Sequence, residues 1–352
     1  MDIRSGPDAI GVAKDSGLAR FSLNFYYGLL GGTALAILLL VPLFKNNYVT
    51  YVITNMLFFA YLGQAWNIMC GYTGQLSFGH ATFFGIGAYA SSLLYVRLGI
   101  TPWLGMFVGG SLAFMAGAGL GGVAFRYGVR GVFFALVTLT TAELFRLLAL
   151  FLESFTGGAE GILLPWKGHN PLMFSFGVKE KYLYYYTVLV MMLGCTLLAY
   201  WIKRIRFGFY LAAIRENEDA AETLGIDGVK FKIIAIGISA FLTALGGTFY
   251  VQLYQHFEPE EVFGPMRSFE IIFPVILGGG GNVMGPPIGA FVLQFFEEVT
   301  RAIMPAHLHG FHRILYGILL VTMIMYLPAG LVSLIENWKD RMVSKHGIRT
   351  EG

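Results

Sequence analysis

The residues best suited to chemistry here are a few charged and polar side chains set inside long apolar runs. Glu143 and Arg146 stand at i, i+3, a spacing that lets them pair on one helical face and lowers the cost of burying either. Glu297 and Glu298 share another run, where Arg301 is the nearby partner at i+4 and i+3. Intramembrane carboxylates are what an ion-coupled transporter would use. Polar Gln75, Ser77 and His80 follow closely on one another and should face the protein interior, because lipid offers them no partners. For His80 two roles stay open: a packed interhelical hydrogen bond, or contact with a substrate. The chain has no G-x-x-x-x-G-K-[ST], H-E-x-x-H, C-x-x-C or G-x-S-x-G. The expectation is a non-enzyme that binds no ATP, cofactor or metal itself. Cys70 and Cys195 both lie in or beside apolar stretches, which argues against a disulfide or metal site.

Three segments have more pattern than a lipid-facing helix needs. In the first, Asn67 to Leu94, Gly71, Gly74, Gly79, Gly85 and Gly87 surround the polar trio. Such a run permits close helix packing or a broken helix lining a cavity. The second, Leu277 to Ala290, has four consecutive glycines and then Pro286 and Pro287, which cannot continue a helix. It reads as a break or tight reversal, either a gate near a translocation path or a compact turn. Gly71, Gly74, Gln75, Ser77, His80, Gly278, Gly279, Gly281, Asn282, Gly285 and Pro286 are the candidates for path or gate. The third, Arg206 to Ile226, places Ala213, Ile214, Ala220, Ala221 and Leu224 at helical spacing. Arg215, Glu216, Asn217, Glu218, Asp219 and Glu222 lie among them, and Gly225 is placed as a C-terminal cap. A short helix with a small-residue stripe suits docking in a protein groove; the alternative is a solvated connecting helix.

The elements that hold these segments must be membrane helices. Charged residues make up 13% of the 352, against about 25% in soluble domains, too few to clothe a chain of this size in water. Apolar runs of spanning length fall near 25–44, 48–70, 75–96, 103–125, 131–152, 182–202, 231–254, 268–280, 286–304 and 311–335. The reading is an all-α, polytopic transmembrane bundle of about ten spans. The Gly-rich start of the third allows a broken helix, and the shortness of the eighth allows a re-entrant half-span. Placing both termini inside puts the basic residues near Arg4–Arg20, Arg126–Arg130, Lys203–Lys232 and Lys339–Arg349 on the cytoplasmic side. They outnumber those outside by about two to one, as expected of cytoplasmic segments. Residues 1–24 then form a cytoplasmic arm, 25–336 the membrane domain with a cytoplasmic loop at 203–232, and 337–352 a tail. Two external segments, Glu153 to Lys181 and Gln255 to Arg267, carry turn residues and would be connectors or contacts for an external partner. A net charge of +3 gives no reason to expect nucleic acid.

Four of these stretches together resemble a known family. GYTGQLSFGHATFFGIGAYASSLL at Gly71–Leu94 is similar to the signature of branched-chain amino acid ABC transporter permeases. GFYLAAIRENEDAAETLGID at Gly208–Asp227 resembles their ATPase-coupling loop, LGGGGNVMGPPIGA their glycine-rich break, and LYGILLVTMIMYLPAGLV at Leu315–Val332 their last span. The arm and the first external loop resemble the M type, one of two paralogous permeases that pair. Gly280 stands where the family often has methionine, and Pro286-Pro287 doubles a usual single proline. The resemblance implies an inner-membrane subunit working with a paralogous permease, two cytoplasmic ATPases that alone bind ATP, and a periplasmic binding protein. It implies that Arg215 to Leu224 is the coupling helix, and branched-chain amino acids as substrates, with amides or urea as alternatives. The competing class is an ion-coupled secondary transporter, with Glu143, Glu297 and Glu298 as its only plausible coupling carboxylates.

Overall fold

The computed structural model describes residues 38–44, 46–165, 170–175, 181–303 and, beyond these, positions 317–318, 321–322, 325–327 and 330–334. The expected arm 1–24, the tail 337–352 and most of the runs 25–44 and 311–335 lie outside the described residues. Contacts divide the chain into residues 51–333 and a second unit of 1–50 with 334–352. In the second unit, residues 41–44 form one 3-10 turn and residues 47–50 open the first long helix.

The chain is helical, as the composition predicts. The principal helices are α1 (Asn47–Trp66), α2 (His80–Leu98), α3 (Pro102–Arg126), α4 (Gly131–Phe151) and α5 (Lys181–Arg204). They are followed by α6 (Arg206–Glu216), α7 (Glu218–Thr223), α8 (Gly228–Tyr254), α9 (Pro259–Phe263), α10 (Pro265–Gly278) and α11 (Gly285–Ile303). Local chemistry sets several boundaries. Pro102 opens α3, where its missing N–H is not needed. Gly99 ends α2 with φ 66°, a left-handed conformation that costs glycine little. Asp227 caps α8 by accepting from the Lys230 N–H at 2.9 Å.

Four described helices, α3, α4, α5 and α8, are long and apolar enough to cross a bilayer. In α3, α4 and α5 only 33%, 28% and 39% of the apolar window is buried, whereas in α8 it is 72%. So α8 is the central helix, and the other three present apolar faces outward. The runs expected to cross as α1, α2, α10 and α11 form helices that are shorter or more polar than these four. With 14 residues, α10 spans roughly 21 Å, in keeping with the short eighth run. The third run begins five residues later than the periodicity predicts, at His80, because residues 74–79 are not helical.

Helices α2, α3 and α8 pack as the core, and backbone proximity explains their glycines. A Cβ at Gly87 would strike the Ala244 carbonyl, and one at Gly247 would strike the Phe84 carbonyl. Small residues at such crossings gain dispersion contact that lipid alone does not supply. Phe58, Phe84, Phe249 and Tyr250 fill the space between α1, α2 and α8.

Hydrogen bonds sort the connections to two ends. At one end, Leu164 N–H donates to the Gln255 carbonyl at 2.8 Å. There β1 (Ile162–Leu163) pairs antiparallel with β2 (His256–Phe257), so the segments 153–181 and 255–267 form one small ladder with each other. Arg97 holds the carbonyls of Ser154 and Phe155 at the same end, each at 2.9 Å. The other end collects residues 67–75, 126–131, 203–232 and 278–285.

Candidate functional site

The segment between α5 and α8 is not one helix over 213–224, as its apolar spacing predicts, but two. Asn217 separates α6 from α7 in an extended conformation (φ −158°, ψ 106°), and its Oδ1 accepts the Ala220 N–H at 3.0 Å. The sequence carries the reason: an Asn cap followed by Glu218 and Asp219 favours a new helix N-terminus. The break splits the expected stripe. Ile214 and Ala221 are buried against the bundle and Ala213 is half-buried, whereas Ala220 and Leu224 face out, Leu224 with 81% of its surface exposed. Glu216 is exposed as well. Gly225 closes α7 as the sequence predicts. With φ 83° it donates to Glu222 O at 2.9 Å, and Ile226 donates to Ala221 O at 3.1 Å, the paired bonds of a Schellman end.

Arg215 ties this segment to both glycine-rich breaks. Helix α1 passes into a π-helical turn at Asn67–Gly71 and the chain leaves helical geometry at Gly74, so the carbonyls of its last turn lose their intrahelical donors. Arg215 Nη1 donates to one of them, Gly71 O, at 2.7 Å. Its stem lies against Gly74 (φ 73°), and its guanidinium occupies the place a Cβ on Gly281 (φ 84°) would take. From the other side, Asn67 Oδ1 accepts the Gly281 N–H at 2.8 Å, and Asn67 Nδ2 donates to Asn282 O at 2.9 Å. Lys203 Nζ donates to Gly281 O at 3.2 Å. Three segments distant in sequence thus meet at one junction. The remaining members of the second break shape its turn. Gly278 and Gly285 touch through their backbones, Gly279 ends α10 with φ 109°, and Pro286 lies against Gly63 of α1. Gln75 Oε1 accepts from the Gly131 N–H at 3.2 Å, tying the first break to the start of α4.

Sequence reasoning did not single out Asn67 or Lys203, nor the ionic clamp beside them. Lys232 of α8 is 1% exposed and meets Glu218 Oε1 at 2.5 Å. It also lies 4.6 Å from the Phe125 ring centroid at the end of α3. Arg130, between α3 and α4, reaches Glu218 at 3.4 Å and Asp219 at 3.0 Å. The two carboxylates hold the Arg130 pKa above its ordinary value, first through the Asp219 hydrogen bond. Thus α7 is clamped to α8 and to the α3–α4 turn. The signal for Asn67 was an amide in an apolar run; for Lys232 it was a cation one turn inside a span.

Ser77 and His80 sit elsewhere, fully buried at the start of α2. Ser239 Oγ donates to Ala65 O at 2.7 Å, so it must accept from His80 Nε2 at 2.8 Å. The other ring nitrogen, Nδ1, then accepts from Ser77 Oγ at 3.2 Å. This is the interhelical hydrogen bond of the two readings, joining α1, α2 and α8.

The three carboxylates of the ion-coupled alternative are all in ion pairs. Glu143 holds Arg146, whose Nη1 also reaches Glu260 of the 255–267 segment at 3.0 Å. Glu297 and Glu298 both pair with Arg301, at 2.8 and 3.2 Å. Among the described residues, buried polar atoms without a hydrogen-bond partner occur on Gln64, Thr82, Tyr89, Ser92 and Gln252. Thr82 and Tyr89 stand seven residues apart on one face of α2. The Tyr89 ring stacks on Phe263 of α9 and meets Phe257 edge-on.

An apolar helical bundle with a partly exposed, internally clamped helical pair between two helices of membrane-spanning length defines the class as a multi-pass membrane protein. The family described as branched-chain amino acid transport system / permease component matches residues 49–324, and this chain belongs to it. The chain is 28% identical over 311 residues to the high-affinity branched-chain amino acid transport system permease protein LivM of Escherichia coli, covering 83% of this chain and 71% of that one. It is 26% identical over 160 residues to the probable branched-chain amino acid transport permease protein LivH of Methanocaldococcus jannaschii, covering 44% and 48%. It is 32% identical over 117 residues to the ribose import permease protein RbsC of Escherichia coli, covering 31% and 36%. No solved structure matches the chain.

Proposed function

We propose that this chain is one of two permease subunits of an ATP-binding cassette importer for branched-chain amino acids, with both termini and the 203–232 loop on the cytoplasmic side of the inner membrane. Its partners are a paralogous permease, two ATPases that carry all the ATP, and a periplasmic binding protein that delivers substrate. The observation that carries the reading is the division of labour in α6 and α7. Ala220 and Leu224 point outward, while Arg215 and Glu218 are bonded to the transmembrane helices. A partner that grips the outward face can therefore move the inward one.

Mechanistically, α7 seats in an ATPase groove, its small Ala220 allowing close approach. ATPase closure shifts α6 and α7. Arg215 transmits the shift to Gly71 and Gly281, and Glu218 transmits it to α8 through Lys232 and to α4 through Arg130. The coupled states are outward-open and inward-open, two arrangements of one element biased from a distant site. Gln64, Thr82 and Tyr89 are assigned to the path, because a buried polar atom without a partner is costly unless another state supplies one. Phe257 and Phe263 cover the external end of that path in this state. Similarity to permeases named for amino acids and for ribose supports a common engine whose specificity is set elsewhere, principally by the binding protein; amides and urea are the other substrates to test.

The test is uptake of labelled leucine into proteoliposomes holding the whole complex. Uptake should need ATP on the ATPase side and binding protein on the other, and should persist when proton and sodium gradients are collapsed. Uptake by the permease alone, driven by an ion gradient, would overturn the proposal in favour of a secondary transporter.

A further inference from the structure

A groove of about 970 Å³ opens between the end of α3 and the start of α8, lined by residues that the mechanism above does not use. Its apolar wall is Val123 and Ile233, with Gly119 and Gly122 at i, i+3 on α3. A Cβ on Gly119 would meet nothing within 4 Å, and one on Gly122 only the tip of Ile233. The trough is therefore unfilled by the chain's own side chains. At its mouth stand Arg126 and Lys230, both exposed. Neither side chain is in an ion pair among the described residues, unlike Arg130 four residues on, which Glu218 and Asp219 hold. One carboxylate, Asp227, also lines the groove, but its Oδ1 caps the N-terminus of α8. Tyr127 completes the rim with 81% of its surface exposed.

We infer that this groove binds an anionic phospholipid, its headgroup between Arg126 and Lys230 and an acyl chain along the glycine-lined trough. Three features select that occupant. Both helices are of membrane-spanning length and composition, so their ends lie at headgroup level. Two cations against one committed carboxylate complement a phosphodiester, and a basic pocket between membrane helices is suited to anionic headgroups. The wall below the cations is apolar, with Val123 and Ile233 beside the open surface of Gly119 and Gly122, which fits a hydrocarbon chain and not a free phosphate. An aromatic ring at the rim suits the same depth. Arg126 and Ile233 of the groove follow directly on Phe125 and Lys232 in the chain, so an occupant would brace the clamp that holds α7.

The test places a reporter at the rim. In the assembled complex, Tyr127→Trp is titrated with brominated phosphatidylglycerol or brominated phosphatidylcholine, with the chain lacking that substitution as background for its five native tryptophans. Phosphatidylglycerol should quench the reporter preferentially. Arg126→Gln with Lys230→Gln should reduce its apparent affinity by roughly thirtyfold, from about 1 kcal/mol for each cation. The charge-retaining pair Arg126→Lys with Lys230→Arg should keep the preference, which separates loss of charge from loss of fold. Equal quenching by both lipids, or a preference unchanged in the neutral double variant, would overturn the inference. So would a reporter shielded from every lipid in the complex but reached in the isolated chain, since a protein subunit would then occupy the groove.

Discussion

Replacing Glu218 by Gln removes the counter-charge from Lys232, an ammonium that is 1% exposed. Breaking a buried ion pair by deleting one partner costs about 3–5 kcal/mol, because the other charge stays desolvated. The Phe125 ring, 4.6 Å from the ammonium, offsets part of that, about 1 kcal/mol. A net loss of about 2–4 kcal/mol remains, which raises the open population of α7 by roughly thirty- to a thousandfold. Replacing Lys232 by Met is milder, because Glu218 keeps Arg130 at 3.4 Å, a cation that is 45% exposed and can follow it into water. That variant should cost about 1–2 kcal/mol. In the double variant neither buried charge remains, and most of the Glu218→Gln loss should be recovered. Hydrogen exchange of peptides covering 206–226, compared across the four proteins, measures the effect directly. Refutation is simple: Glu218→Gln exchanging at the parent rate, or Lys232→Met proving the more damaging of the two.

Gly281→Ala should abolish uptake while leaving subunit assembly intact, because a left-handed φ costs a non-glycine residue about 1–2 kcal/mol and the new Cβ falls on the Arg215 guanidinium. Adding Arg215→Ala should relieve the clash and raise the thermal midpoint without restoring uptake. Gly87→Val drives a side chain into the Ala244 backbone and should stop the protein accumulating in the membrane, whereas Gly119→Ala, with open space around it, should leave expression levels unchanged. His80→Asn cannot bridge Ser77 and Ser239; it should cost about 1–3 kcal/mol of stability, read as a lower Tm, with KM for uptake unchanged. A raised KM would move His80 from packing to the path.

Much of this architecture is legible in the sequence because lipid leaves few options. Apolar run length gave the helices, and the Gly278–Gly281 run before Pro286 gave a reversal that the structure places between α10 and α11. Gly225 as a cap, Arg146 with Glu143, and Arg301 with Glu297 and Glu298 are local pairings, and local spacing suffices to find them. The Asn217 break was also written locally, in an Asn followed by two acids, but the period of the alanines masked it. What spacing cannot reveal is convergence. Nothing along the chain relates Asn67 to Gly281, or Lys232 to Glu218 across a turn that reverses direction. Nor does period alone say which alanine of the 213–224 stripe faces out. Ala221 is buried, so only Ala220 and Leu224 probe docking without disturbing the bundle.

Those two positions give the most direct test of the central claim, that an ATPase drives this chain through the outward face of α7. In the double variant Ala220→Glu with Leu224→Glu, co-purification with the ATPases and stimulation of ATP hydrolysis by binding protein are measured on one preparation. The variant permease should insert, stay monodisperse and keep its parent pattern of exchange in α8, yet lose both the ATPases and the stimulated hydrolysis. Stoichiometric ATPases and full stimulation in that variant would contradict the claim.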